Sequence, residues 1–159
     1  MAGDLDLQHL MLERADHNLQ TITPAIVGWV SSKALRSLIQ NSPAIGTALW
    51  RDTLIEASIY REWVLNVGRR NAKSRIAHLL CEFSVRQTAA GLPSANQISL
   101  PLTQEEIGDA TGLTPVHVNR MLRELRGDGV LGLRNLTILD MDRLMEIGDF
   151  HPDYLHVGG

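Results

Sequence analysis

The segment from Pro115 to Arg126 concentrates side chains that can recognise the edges of DNA bases. At about 100° per residue of helix, its apolar residues share one face: Val118, Met121, Leu122 and Leu125. The opposite face and its flanks carry Val116, His117, Asn119, Arg120 and Arg123. Arginine can bond two acceptors of guanine, asparagine can do so with adenine, and valine can contact the thymine methyl. This face predicts binding to double-stranded DNA; the alternative is an ordinary solvated face with an Arg120–Glu124 ion pair.

Helix-start signals position this face. Thr103 and Glu106 form a capping box, in which each side chain bonds the other's backbone N–H. Gly112 ends that helix after about two turns, and Thr114-Pro115 starts the next one. Three residues suit a close crossing of the two helices: Ile107, Ala110 and Leu113. Two helices joined by a short turn containing glycine predict a helix-turn-helix.

A β-hairpin is predicted directly after this helix pair. The stretch from Gly129 to Leu139 reads as two short strands that turn at Arg134-Asn135, and Ile98–Leu100 supplies a third strand. A helix-turn-helix followed by a hairpin is a winged helix. Arg134 at the tip is then placed for a DNA phosphate, although an exposed turn arginine with no ligand is the alternative.

A long apolar helix is predicted over about Pro43–Gly68, after a short helix capped by Ser32 and before a helix from Asn71 to about Ala90. Its length, roughly 39 Å at 1.5 Å per residue, exceeds what a small domain needs. Apolar residues recur along it at intervals of three and four, which predicts a coiled-coil-like homodimer interface. The predicted interface residues are Leu49, Trp50, Leu54, Ala57, Tyr60 and Val64. The alternative is a core helix of one domain.

Composition narrows the class of protein. The chain has 159 residues, a net charge of −3 and one cysteine, so an internal disulfide and a four-cysteine metal site are excluded. It has no membrane-length apolar run and no secretory signal, so a cytoplasmic location is expected and a membrane partner is not. Residues 69–134 hold nine basic and six acidic side chains, a local charge of +3. A polyanion responds to this local field.

An enzyme is not expected. His78, Cys81 and Glu82 suggest a nucleophile and base, but a buried free cysteine on an apolar helix is the commoner state. The tail residues that resemble metal ligands are predicted to be a polar tail instead: Asp149, His151, Asp153 and His156. No catalytic residue, metal site or cofactor site is predicted.

The stretches LTQEEIGDATGLT (Leu102–Thr114) and VNRMLREL (Val118–Leu125) resemble the Crp/Fnr family of bacterial transcription regulators. The resemblance extends over about residues 43–140 and implies that Arg120 reads a base. It also implies that Thr114, His117 and Gln104 contact the DNA backbone. Pro115-Val116 replaces the Arg-Glu or Val-Glu of many members, so their half-site sequence does not carry over. RNA polymerase is an implied partner.

The N-terminal end departs from that family, whose members begin with a β-roll sensor of roughly a hundred residues. Here Leu19–Thr23 and Ala25–Val30 are short β-like runs. The segment from Gly3 and Asp4 to Arg14 and Ala15 resembles the late part of that roll, so the resemblance implies a remnant of it. Arg14 matches a phosphate-binding arginine of cyclic-nucleotide binders, but Asp4 and Ala15 replace its Glu and Ser/Thr partners, and Asp16 repels phosphate. Cyclic-nucleotide binding is not expected, and the effector is unknown. A fragment, a mis-started reading and a natural short form are all open.

Together these patterns predict a mainly α fold with small β elements. Residues 1–41 are assigned to a partial β-roll sensor, 42–70 to a dimerisation helix and 71–159 to a winged helix-turn-helix domain. The predicted function is sequence-specific DNA binding as a homodimer, with residues 115–126 in the major groove. The predicted DNA-binding residues are Thr103, Gln104, Thr114, Val116, His117, Asn119, Arg120, Arg123 and Arg134. The alternative function is protein–protein association with a full-length relative.

Overall fold

The computed structural model describes residues 7–12, 17–91, 102–133 and 136–157. These residues are predominantly helical, and among them β-structure is limited to one isolated bridge. In chain order the helices are α1 (Gln8–Met11), α2 (Ser32–Asn41), α3 (Pro43–Arg69), α4 (Ala72–Ala89), α5 (Gln104–Thr111), α6 (Pro115–Gly127), α7 (Met141–Gly148) and a 3-10 helix (Pro152–Leu155). None of these described helices is long and apolar enough to cross a membrane.

The chain divides into two compact units, Ala2–Ala57 and Ser58–Gly159. The first unit contains α1, α2 and the beginning of α3. Within it, Arg36 Nη2 donates to the carbonyl oxygen of Leu10 at 2.5 Å. No residue from 17 to 57 is buried. The described part of this unit therefore has no apolar core of its own.

The predicted β-roll remnant is wrong for the described part of residues 1–41. Residues 17–31 have no regular secondary structure, so the strands predicted at Leu19–Thr23 and Ala25–Val30 are not formed. A strand requires a hydrogen-bonded neighbour, and an isolated pair is already only marginally stable. Neither run has such a neighbour among the described residues. The candidate phosphate-site residues lie outside the described part: Gly3, Asp4, Arg14, Ala15 and Asp16.

The helix ends follow the capping signals closely. The Ser31 hydroxyl, and not that of Ser32 as predicted, caps α2 by accepting from the Ala34 N–H at 3.2 Å. The predicted cap of α4 is confirmed, because Asn71 Oδ1 accepts from the Ser74 N–H at 3.0 Å. The long helix α3 begins at Pro43 as predicted and ends at Arg69.

Helix α4 is the centre of the second unit and packs against α5, α6 and α7. Its consecutive buried residues, from Ile76 to Cys81, face neighbours on all sides. Further core residues come from the other elements: Ile107, Val118, Leu122, Leu125, Val130, Leu131, Leu144 and Phe150. The apolar faces of α5 and α6 pack into this core, and their polar faces remain in solvent.

The last turns of α3 belong to this core. Ile59 and Trp63 pack against it, and the fully buried Asn66 donates from Nδ2 to the carbonyl oxygen of Arg75 at 3.4 Å. The predicted dimer residues, in contrast, are not buried in this core. Trp50, Leu54, Tyr60 and Val64 are 68%, 55%, 61% and 75% exposed, and Leu49 and Ala57 are half-buried.

A glycine allows the close approach of α5 to the start of α6. A Cβ built on Gly108 would lie 2.5 Å from the carbonyl oxygen of Leu113, so no side chain fits there. Ala110, to which the sequence reasoning assigned this role, is exposed. The prediction identified the crossing correctly, but it chose the wrong small residue.

The hairpin predicted after α6 is reduced to one antiparallel bridge between Leu131 and Ile138. The Gly132 N–H donates to Thr137 at 2.8 Å, and the Leu139 N–H donates to Val130 at 2.9 Å. The two predicted strands are therefore a single pairing with extended flanks. Arg134 and Asn135 lie outside the described residues, as does the third strand predicted at Ile98–Leu100.

Candidate nucleic-acid interface

The capping box predicted for α5 is formed. The Thr103 hydroxyl accepts from the Glu106 N–H at 3.2 Å, and Glu106 Oε2 accepts from the Thr103 N–H at 2.7 Å and from its hydroxyl at 2.8 Å. These bonds hold the pKa of Glu106 below its ordinary value. They also define the first turn of α5, and therefore the direction in which Gln104 leaves the helix.

The turn and the next cap fix the start of α6. Gly112 ends α5 with a φ of 66°, the left-handed region that glycine adopts without strain. The Thr114 hydroxyl then accepts from the His117 N–H at 3.3 Å, and Pro115 occupies the first turn. The N-terminus of α6 is consequently held on the surface, where its dipole and remaining N–H groups favour an anion.

The two faces of α6 separate as the sequence predicts. Val118, Met121, Leu122 and Leu125 are buried on one side. On the other side Val116 is 82% exposed, Arg120 and Arg123 are also exposed, and His117 and Asn119 are half-buried.

Two hydrogen-bonded pairs organise this exposed face. Asn119 Nδ2 donates to Gln104 Oε1 at 3.2 Å, and Arg120 Nη2 lies 2.9 Å from His117 Nε2. We call them the recognition pairs. The partner of Arg120 is therefore His117, and not Glu124 as the alternative interpretation required. Both pairs are exposed, so their outer donors and acceptors remain open to a ligand.

The sequence profile of the Crp-like helix-turn-helix domain matches residues 74–147, the range from α4 through α7. The transcriptional activator protein FnrL of Cereibacter sphaeroides is 38% identical over 120 residues, which are 72% of this chain and 48% of that protein. A probable transcriptional activator of Rhizobium leguminosarum is 34% identical over 69% of this chain and 47% of its own length. The chain belongs to the Crp/Fnr family. It spans about half the length of these relatives.

A solved structure gives the same assignment. The structure of FixK2 from Bradyrhizobium japonicum superposes with a TM-score of 0.66 at 28% identity, over 74% of this chain and 59% of that chain. The Crp-like domain of this Crp/Fnr chain is thus a helix-turn-helix of the DNA-binding type, and the family resemblance predicted from Leu102–Thr114 and Val118–Leu125 is confirmed.

Internal ion pairs and hydrogen bonds engage several of the basic residues that give the middle of this Crp/Fnr chain its positive charge. Arg70 Nη1 lies 2.7 Å from Glu62, and Arg75 Nη1 donates to the carbonyl oxygen of Thr111 at 2.8 Å. Lys73 pairs with Asp128, the C-cap residue of α6. Glu62 and Asp149 lie outside residues 69–134, so their pairing with Arg70 lowers the field presented to a polyanion below what the local charge of +3 suggests.

A second polar group, the buried cluster of Trp63, His78, Glu82 and Tyr154, joins α3, α4 and the tail. Glu82 is 3% exposed, and its Oε2 accepts from Trp63 Nε1 at 3.0 Å and from the Tyr154 hydroxyl at 2.7 Å. His78 Nε2 lies 3.0 Å from the Tyr154 hydroxyl oxygen, and Nδ1 lies 3.3 Å from the carbonyl oxygen of Gly148. Sequence reasoning missed this cluster, because its members lie up to 91 positions apart.

His78, Cys81 and Glu82, which the sequence suggests as a nucleophile and base, are all buried. Cys81 is fully buried, and burial raises the pKa of its thiol to about 12. Both ring nitrogens of His78 have a partner, Gly148 at Nδ1 and Tyr154 at Nε2. Burial, and secondly the Arg70 charge, lower the pKa of His78. These groups therefore stabilise the fold.

The tail residues that resemble metal ligands lie at the end of α7 and around the 3-10 helix, and His151 Nε2 is 3.9 Å from Asp149 Oδ1. Asp149 bonds Arg70, and His151, Asp153 and His156 are exposed. Among the described residues no group of three or more histidine, cysteine or acidic side chains is arranged to hold a metal ion. Arg134, the predicted phosphate contact at the hairpin tip, lies outside the described residues.

Proposed function

We propose that this chain regulates transcription by binding specific DNA sequences as a homodimer, with residues 115–126 of each subunit in a major groove. The observation that carries the proposal is the outward face of α6, which presents arginine, asparagine, histidine and valine around a surface held rigid by a buried back. An α-helix fits the major groove, where each base pair has a distinct pattern of donors and acceptors.

The proposed contacts divide into two classes. Base edges are read from the exposed face of α6 by Val116, Asn119, Arg120 and Arg123. Phosphates are bound at the helix N-termini and the hairpin tip by Thr103, Gln104, Thr114, His117 and Arg134. The capped N-terminus of α6 supports the second class, because its dipole favours a phosphate oxygen.

The dimer is proposed to form along α3, within residues 42–70, and residues 71–159 are proposed as the DNA-binding domain. The exposed apolar residues Trp50, Leu54, Tyr60 and Val64 support this assignment, with Leu49 and Ala57 beside them. A stripe of this kind on a helix of 27 residues suits a parallel partner helix. Two subunits would then read half-sites about one helical turn of DNA apart.

The cytoplasm and an RNA polymerase partner complete the proposal. Relatives described as transcriptional activators support both, because an activator acts where transcription occurs. An in vitro transcription assay with bacterial RNA polymerase and a selected promoter would measure the change in transcript on adding this protein. No change with a promoter that binds the protein tightly would contradict the polymerase assignment.

DNA binding is tested by selecting duplexes from a random pool and titrating them at one fixed salt concentration. Arg120→Ala should weaken binding by about 1–3 kcal/mol and relax one base position. The control is Arg143→Ala, which removes the same charge from an exposed site on α7 and should leave base preference unchanged. Equal affinity for selected and scrambled duplexes would overturn the proposal.

Dimerisation is tested by sedimentation. Leu54→Glu should shift the protein from dimer to monomer, because a charge in a desolvated seam lacks a partner. Ala48→Glu adds the same charge at an exposed position on the opposite side of α3 and should leave the dimer intact. A wild-type protein that sediments as a monomer at tens of micromolar would contradict the assignment.

A further inference from the structure

The link between Gln104 and Asn119 joins the first and second helices of the helix-turn-helix at the surface proposed to meet DNA. Gln104 is the first residue of α5, and Asn119 lies in the second turn of α6. Asn119 Nδ2 donates to Gln104 Oε1 at 3.2 Å across 15 positions of sequence. The capping box fixes the backbone of Gln104, and the buried back of α6 fixes that of Asn119, so the bond joins two firmly held anchor points.

This bond sets the direction of the Asn119 amide. An amide NH₂ carries two hydrogens, and its oxygen has two lone pairs. One hydrogen bonded to Gln104 leaves the other hydrogen and Oδ1 for a ligand, side by side in the amide plane. That is the arrangement that bonds N7 and N6 of adenine at once. An unrestrained amide can turn over and exchange its donor with its acceptor, which removes the preference.

We propose that Gln104 is a positioning residue, and that through Asn119 it determines specificity for one adenine of each half-site. The inference rests on the proposed DNA binding and deepens it. Gln104 Nε2 keeps both of its hydrogens and can still donate to a phosphate, so one side chain links the DNA backbone contact to the base contact. The resemblance assigned Gln104 to the backbone alone.

Two substitutions of opposite charge separate these roles. Gln104→Glu keeps an acceptor for Asn119 but brings a negative charge towards phosphate. Gln104→Lys supplies a positive charge but has no acceptor. If Gln104 orients Asn119, adenine selectivity follows the acceptor. If Gln104 is only a phosphate contact, selectivity stays constant in both variants and affinity alone follows the charge.

The measurement uses the whole 159-residue chain and a duplex selected from a random pool, in which each adenine is replaced singly by 7-deazaadenine. This analogue lacks N7 and keeps its Watson–Crick pairing. One position should weaken wild-type binding by about tenfold, and Asn119→Ala should be insensitive there. Gln104→Glu should keep this sensitivity at lower overall affinity. Gln104→Lys and Gln104→Ala should lose most of it, to about twofold or less, although Gln104→Lys binds DNA more tightly overall.

Matched thermal unfolding of all variants verifies the fold. Sensitivity that persists in Gln104→Ala and Gln104→Lys would overturn the inference, as would a wild-type protein for which no adenine N7 matters. In both cases selected duplexes would still bind better than scrambled ones, so the proposed function would survive. Failure of the proposed function itself would be seen earlier, as equal affinity for selected and scrambled duplexes.

Discussion

The recognition pairs and the buried cluster use similar side chains under opposite conditions. The recognition pairs, Gln104–Asn119 and His117–Arg120, lie at the surface, and each is a single contact with unused donors and acceptors. In the buried cluster, Glu82 accepts from two side chains at one carboxylate oxygen and from Arg86 at the other. Polar groups without spare capacity hold a fold together, whereas those with spare capacity are available for a ligand.

This contrast predicts that substitutions in the two regions affect different properties, DNA specificity in one and stability in the other. We expect a change in the recognition pairs to alter the proposed base preference and to leave the core intact. A change in the buried cluster leaves donors such as Trp63 Nε1 without an acceptor, which costs desolvation energy in the folded state. Helices that carry residues of both regions pack on α4, yet we expect their substitutions to affect different measurements.

The largest effect should come from Glu82→Ala. Because it leaves two buried donors unpaired, we expect a loss of about 2–4 kcal/mol in the free energy of unfolding, measured by urea titration. Glu82→Gln keeps an acceptor oxygen and should lose less. Glu146→Ala removes an exposed carboxylate from α7 and should change stability by less than about 0.5 kcal/mol. Equal losses for Glu82→Ala and Glu146→Ala would remove the distinction between the two regions.

Thr114→Ala should lower both stability and DNA affinity. The Thr114 hydroxyl caps the N-terminus of α6, the helix that carries the proposed base contacts. Its loss should therefore cost about 0.5–2 kcal/mol of stability and also weaken DNA binding. Thr114→Ser keeps the cap and should retain both properties. A variant that loses DNA affinity at unchanged stability would show that Thr114 contacts phosphate without capping the helix.

The sequence predicted these surface features well because they are local. Thr103, Gly112 and Thr114 signal their roles within four residues of the groups they bond, and the apolar period of α6 determines which face is outward. Within the second unit, α4, α5 and α6 therefore begin and end close to the predicted residues, whereas α7 and the 3-10 helix were not predicted. The same reasoning predicted a β-strand at Leu19–Thr23, which has no neighbouring strand to pair with among the described residues.

The remaining features depend on contacts between distant parts of the chain. The role of Gly108 follows from the approach of Leu113 after the turn, and the role of Glu82 follows from Tyr154 in the tail. The Gln104–Asn119 bond has the same origin, since neither residue has a local pattern that predicts the other. Periodicity identifies a helix face, but it does not identify which side chain of a neighbouring element reaches it.

The buried cluster should also make stability depend on pH. Burial lowers the pKa of His78, with Arg70 acting in the same direction and Gly148, Glu62 and Glu82 opposing it. The unfolded chain therefore binds a proton that the folded chain resists, and the free energy of unfolding should fall as pH falls below about 6.5.

Urea titrations of wild type and His78→Gln between pH 8 and pH 5 measure this dependence. The wild type should lose more stability than the variant over that interval, and the two should differ least in slope at pH 8. Parallel curves would mean that His78 takes up its proton equally in both states, in which case burial does not control it.

The smallest effect should come from Val116→Ala on the exposed face of α6. Val116 is 82% exposed, so its truncation should change stability by less than about 0.5 kcal/mol. Its proposed partner is a thymine methyl, and one lost methyl contact is worth about 0.8 kcal/mol at most. Replacing single thymines of the selected duplex by deoxyuracil removes that methyl and nothing else. Wild-type affinity should fall at one position, and Val116→Ala should not distinguish thymine from uracil there. If the variant still distinguishes them, another residue contacts the methyl, and exposure at the surface is not sufficient to identify a base contact.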